Sequence, residues 1–173
     1  MASGPTYTPL AWTSLGAASA TITLSSIPTG YTDLRLVFTA PSASNLAQVY
    51  LRFNGDTATN YSYRMVYGNG GVGTGAAQSS NAILTDYALA VQTSNMPVGL
   101  IADIMSYTYA KYKTVLTTYF MSLNASSGTT GDVEHGVGVW RSTATINSIT
   151  VTSTTAAAFN AGTTVALYGI AAA

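Results

Sequence analysis

The chain has 173 residues, which suits one domain and is tight for two. It contains no cysteine, which removes thiol catalysis, cysteine-ligated zinc and disulfide scaffolds in one step. Only 7% of its residues are charged, against roughly 25% in an average soluble domain, and six basic residues cancel six acidic ones, so counterion-driven nucleic-acid binding lacks the clustered cations it needs.

Residues 1 to about 12 hold Pro5 and Pro9, which cannot donate ladder hydrogen bonds, and read as an extended N-terminal arm; residues 13–173 read as a single domain. Tyr7, Leu10 and Trp12 on that arm are candidates for attachment to a neighbour, or for folding back on the domain. Burying one such side chain is worth roughly 1.5–3 kcal/mol. Met1–Leu10 has no basic stretch leading into an apolar one and does not read as a secretory leader. No apolar run reaches the roughly 18 residues of a membrane-spanning helix.

Ile22 and Leu24 alternate with Thr21, Thr23 and Ser25, the period of a strand. After Pro28-Thr29-Gly30 comes the clearest strand, Asp33 to Thr39. Leu34, Leu36 and Phe38 point one way, and Asp33, Arg35 and Val37 the other. Ala40 to Gln48 has the best helix composition, but Pro41 and Asn45 reduce it to a loop or one short turn. Val49, Leu51 and Phe53 repeat the alternation with Tyr50 and Arg52 outward, and Asn54-Gly55-Asp56 then turns the chain. Tyr61, Tyr63, Met65 and Tyr67 follow, with Arg64 and Val66 opposite. Gly68 to Gly75 reads as a flexible loop: it fits the letters Gly-x-Gly-x-x-Gly, but no helix follows to hold a phosphate. Further strands are expected over 82–91, 99–109, 113–123, 133–141, 146–153 and 164–170. About ten strands with turn residues between them predict an all-β fold, an antiparallel, jelly-roll-like β-sandwich.

Polar character comes from 27 threonines and 18 serines. A threonine-covered, charge-poor face is either a solvated sheet face or a contact surface in an assembly. Asp132, Glu134 and His135 form the one cluster of titratable types. Glu134 and His135 are adjacent, so in a strand they face opposite sides, and the chain has no other histidine. No Gly-x-Ser-x-Gly elbow and no marked carboxylate pair is present, so neither a serine triad nor a glycosidase site is expected. The expectation is no enzyme, no cofactor and no metal. Tyr107, Tyr109, Tyr112 and Tyr119 crowd one region with Lys111 and Lys113 and suit cross-strand packing, an interface or sugar stacking. Arg35, Arg52 and Arg64 each lie opposite their strand's apolar set. If those strands are neighbours, the arginines form a row, either solubilising or paired with carboxylates of another subunit.

Two stretches carry a resemblance. The first runs from Ser26 to Val37, then Leu51-Arg-Phe-Asn-Gly-Asp-Thr57 and Asn60-Tyr-Ser62. The second is Ile146 to Val151 with the closing Phe159-Asn-Ala-Gly-Thr-Thr-Val-Ala-Leu-Tyr-Gly-Ile170. Together they resemble a loose group of tailed-bacteriophage virion structural proteins. The resemblance implies a jelly-roll-like domain, a homotrimer and no catalytic residues, with location in the virion after synthesis in the host cytoplasm. Similar domains serve in capsid decoration, tail fibres and baseplates. This sequence has no heptads and no collagen-like or other shaft repeat, which favours a decoration (cement) protein on the capsid exterior. Its partners would then be itself and the major capsid protein or other virion proteins, with no nucleic acid and no membrane. The alternative is a tail-fibre, baseplate or receptor-binding part recognising host-surface glycan; a free carbohydrate-binding module comes third.

Overall fold

The structure, a computed structural model, describes residues 6–41, 48–68, 71–85, 98–122, 131–153 and 159–171. Its strands are β1 (Tyr7–Ser14), β2 (Thr21–Leu24), β3 (Asp33–Ala40), β4 (Val49–Phe53), β5 (Tyr61–Gly68) and β6 (Val72–Ser80), then β7 (Ile83–Leu84), β8 (Val98–Met105), β9 (Lys113–Ser122), β10 (Gly131–Trp140), β11 (Ile149–Ser153) and β12 (Thr164–Ile170). They make two antiparallel sheets, one of eight strands in the order β1-β12-β3-β8-β9-β10-β5-β6 and one of four in the order β2-β11-β4-β7. The protein is an all-β sandwich, as its alternating sequence predicts.

The topology has a simple reading. Set aside the hairpins β5–β6 and β9–β10, and each remaining strand lies in the opposite sheet from the one before it, except that β4 and β7 are paired neighbours in the smaller sheet. Those eight strands, β1-β12-β3-β8 with β2-β11-β4-β7, wrap as a jelly roll. The two hairpins are insertions, one between β4 and β7 and one between β8 and β11. They dock side by side on the edge of β8 and double the width of that sheet.

The core follows from the period of two. Leu34, Leu36 and Phe38 of β3 are fully buried beside Leu100, Ala102 and Ile104 of β8 and Val165 and Leu167 of β12. The smaller sheet contributes Ile22, Leu24, Val49, Leu51, Phe53, Ile149 and Val151. Phe38 meets Phe159 edge to face at 5.1 Å between ring centroids. At the foot of the inserted hairpins, Trp140 packs against Phe53 and stacks on Tyr61. Its indole Nε1 donates to Asp56 Oδ2 at 2.7 Å. Asp56 is positioned by a tight turn in which Asn54 and Gly55 both take positive φ (53° and 68°) and the Asp56 amide donates to the Phe53 carbonyl.

Three elements differ from the sequence expectation. Tyr7–Ser14 is not a free arm: it is an edge strand paired with β12 from Tyr7↔Ile170 to Ser14↔Thr164. Pro9 is tolerated because β1 is an edge, with a bulge between Pro9 and Ala11. The glycine-rich segment is largely strand. β6 pairs with β5 from Gly68↔Val72 to Tyr61↔Ser80, and the Tyr67 ring occupies the space a Cβ on Gly73 would need. The strand expected over 82–91 is the two-residue β7, and residues 86–91 lie outside the described residues. With β1 and β6 added, the strands among the described residues number twelve rather than about ten.

Candidate interaction surface

The two sheets present different outer faces. On the smaller sheet the outward residues are Thr21 and Thr23 of β2, Thr150 and Thr152 of β11, and Tyr50 and Arg52 of β4, cross-strand partners of one another. The Thr23 and Thr150 hydroxyls are 3.0 Å apart. This is a hydroxyl-covered sheet face.

The outer face of the larger sheet is apolar. Register places three rows across it. One runs Val72, Gly68, Val133, Phe120, Gly99, Thr39, Thr164. The next runs Thr74, Val66, His135, Thr118, Ile101, Val37, Ala166, Trp12. The third runs Ala76, Arg64, Val137, Leu116, Asp103, Arg35, Tyr168. Of the eleven exposed large hydrophobic side chains among the described residues, nine lie on this face, Trp12 at 70% and Val72 at 86% exposure being the most open. The other two, Tyr109 and Tyr112, are in the β8–β9 turn. Scattered exposed apolar residues are ordinary; a contiguous sheet of them marks a contact surface. The Phe120 ring lies over Gly99, where a Cβ would collide with it, so the aromatic shields the neighbouring strand's bare backbone.

Trp140 determines which residues of β10 reach this face. Once its indole is fixed inward, the period of two sends Gly138, Gly136, Glu134 and Asp132 inward and Val139, Val137, His135 and Val133 outward. The valines are therefore half-exposed, and the two acids are buried, Asp132 at 2% and Glu134 at 1% exposure. Burial first and the adjacent Glu134 carboxyl second push the Asp132 carboxyl up to about 7. His135 faces out, with Nδ1 3.2 Å from the Thr118 hydroxyl, and lines a shallow open depression of about 410 Å³ with Arg64, Val66 and Thr74. Asp132, Glu134 and His135 thus do not converge. Among the described residues no group of three or more His, Asp or Glu is placed to hold a metal ion.

The sequence candidates divide among several places. Tyr7 and Trp12 lie on the apolar face, while Leu10 is half-buried against the core. Arg35 lies on the apolar face but its carboxylate partner is in the same chain: Nε and Nη2 reach the two Asp103 oxygens at 2.6 and 2.8 Å. Those hydrogen bonds raise the Arg35 pKa, and the guanidinium also sits 5.4 Å from the Tyr7 ring centroid. Arg64 is in the same row, but three strands separate β3 from β5. Arg52 is on the other sheet, with Nε donating to the Asn81 carbonyl at 3.0 Å. The arginines therefore form no continuous row. Tyr107 is a core residue, fully buried, its hydroxyl donating to the Pro28 carbonyl. Tyr109 and Tyr112 are exposed beside the buried Lys113, whose ammonium caps the Tyr109 and Lys111 carbonyls and whose pKa burial lowers. Sequence reasoning missed Leu116, Phe120, Val133 and Val137. The signal was there: both alternating sets of β9 hold large apolar residues, Val115, Tyr119 and Met121 on one and Leu116 and Phe120 on the other, and Val133, Val137 and Val139 share one side of β10. Among the described residues no helix is long and apolar enough to cross a membrane. No known family model matches the chain, and no curated protein matches it significantly.

Proposed function

We propose that this protein is a non-catalytic structural subunit of a larger assembly, and that the assembly is a tailed-phage virion. The observation that carries the first half is the apolar outer face of the larger sheet, built on a domain whose other face is covered with threonine. A chain that makes its hydrated face from hydroxyls and its second face from Val, Leu, Phe and Trp has a surface suited to protein contact. Near-zero net charge removes long-range repulsion between subunits. The virion half rests on the resemblance of Ser26–Val37 and Phe159–Ile170 to phage structural proteins, and with it come the homotrimer and the capsid exterior as the site of attachment. Capsid decoration is the preferred role. A tail-fibre or receptor-binding role is favoured by one feature, the exposed Tyr109 and Tyr112 beside Lys111, a combination that suits stacking on sugar rings.

The experiment is localisation on particles. Phage shells lacking the protein are incubated with the full chain and imaged. Density on the shell exterior supports decoration, density on the tail supports the second role, and no density on any part of the particle would sink the virion reading.

A further inference from the structure

We infer that the occupant of the larger sheet's outer face is a second copy of this chain. This deepens the assembly reading above and rests on it. The first argument is placement. The jelly roll is complete without the hairpins β5–β6 and β9–β10, yet those hairpins carry Val66, Val72, Leu116, Phe120, Val133 and Val137, six of the nine exposed apolar residues of the face. They extend the sheet sideways into a broad surface that no described element of the fold covers.

The second argument is area. Eight strands spaced by about 4.8 Å, each about eight residues long at about 3.4 Å per residue, give a face of roughly 34 by 27 Å, or about 900 Å². A stable protein–protein contact needs about 800 Å² from each partner, so this face alone suffices.

The third argument is charge. The Arg35–Asp103 pair is closed within the chain, which leaves Asp33, Arg64 and His135 as the face's other acidic or basic side chains among the described residues. Asp33, in the row of Tyr7 and Met105 at the margin of the face, accepts from the Ser106 amide, and Asp56, away from the face, accepts from Trp140 and Asn60. Among the described residues a strongly basic partner would find, besides the paired Asp103, only Asp33 at the margin, which already accepts a backbone amide, and a strongly acidic one would find little cation. The partner must bring a broad, apolar, charge-poor surface. A second copy brings such a surface, of matching dimensions, with no net charge to repel it.

The test uses the full chain and light scattering at micromolar concentration. The wild type is expected at a multiple of 17.8 kDa. Leu116 and Val137, direct cross-strand partners, are replaced together by Thr, copying the smaller sheet's hydroxyl surface; Phe120 stays to cover Gly99. This variant is expected at the monomer mass and still to unfold in one cooperative transition, with a melting temperature that no longer depends on protein concentration. Leu116→Asp/Val137→Asp and Leu116→Lys/Val137→Lys are each expected to be monomeric alone and to reassociate when mixed, because the face then meets its opposite charge on another copy. A wild type that stays monomeric, a Thr variant that keeps the oligomer mass, or a charge mixture that fails to reassociate overturns the inference. Particle binding separates the two readings. A monomeric wild type that binds shells, and loses binding in the Thr variant, shows that the face meets a different virion protein: the inference falls and the assembly role stands. Loss of both association and particle binding in the wild type removes both.

Discussion

Replacing Asp132 by Asn is expected to stabilise the protein at neutral and alkaline pH. Asp132 and Glu134 sit two residues apart on the inner side of β10, so both carboxyls project into the same apolar space. Their cross-strand neighbours are Met121 for Asp132, and Tyr119 and Tyr67 for Glu134. Among the described residues no cation shares that end of the inner face. Lys113, the inward-facing ammonium of β9, lies opposite Trp140 at the far end of the strand and is held by two carbonyls. The Asp132 carboxyl is raised from 3.8 to about 7, by burial first and by Glu134 second. The folded-state pKa is raised, so the stability it carries is fully present below the unfolded pKa and is lost as pH rises through about 7. Each pKa unit corresponds to about 1.4 kcal/mol, so the loss is on the order of 4 kcal/mol, a large part of the roughly 5–15 kcal/mol that holds a domain together. Asn cannot ionise, and its amide can donate to the Glu134 carboxylate. The assay is thermal and urea unfolding of wild type and Asp132→Asn at several pH values from 5 to 8, at fixed protein concentration. The wild type should lose stability across that range. The variant should be nearly flat and should exceed the wild type at pH 8 by about 3 kcal/mol, roughly 6–12 °C in melting temperature for a chain of this size. A wild type whose stability is flat or rises from pH 5 to 8, or a variant with the same slope as wild type, would refute the buried-pair reasoning.

Other perturbations follow from the same packing. Gly138→Ala places a Cβ 2.6 Å from Ile83 Cγ2, where β7 of the smaller sheet reaches the inserted hairpins, and should cost about 1–3 kcal/mol in urea unfolding; no loss would mean that β7 yields freely. Tyr107→Phe removes the hydroxyl that donates to the Pro28 carbonyl and should cost about 1 kcal/mol while leaving oligomer mass unchanged; a changed mass would return Tyr107 to the interface. Deleting residues 1–12 removes most of β1, the partner of β12, together with Leu10, and should lower the melting temperature; an unchanged melting point would show that the strand is dispensable to the fold.

Much of the architecture is legible in the sequence because one-sided strands announce their parity. Leu34, Leu36 and Phe38 against Arg35, and Val49, Leu51 and Phe53 against Arg52, leave no choice about which side faces the core, and the burial of these residues follows it. Asn54-Gly55 specifies its own turn, since few other pairs accept two positive φ values in succession. Composition alone carries the scarcity of charge and the absence of thiol chemistry.

The contact face is a different matter. In Lys113–Ser122 both alternating sets hold large apolar residues among threonines, and in Gly131–Trp140 a local reading would turn Val133, Val137 and Val139 inward and the two acids out. The tertiary structure reverses that, because Trp140 gains a packed aromatic site and a hydrogen bond to Asp56 only when it points inward, and the period of two carries Asp132 and Glu134 in with it. Which sheet each strand joins is equally invisible locally: Arg35 and Arg52 look alike in sequence, yet their strands end in opposite sheets, one paired with Asp103 and the other with a carbonyl. Alternation, turns and composition are properties of neighbouring residues, so this sequence by itself determined the all-β class and most of the core. The pairing of distant strands, the widening of one sheet by two inserted hairpins and the apolar face that results depend on contacts between residues far apart in the chain, and only the tertiary structure decided them.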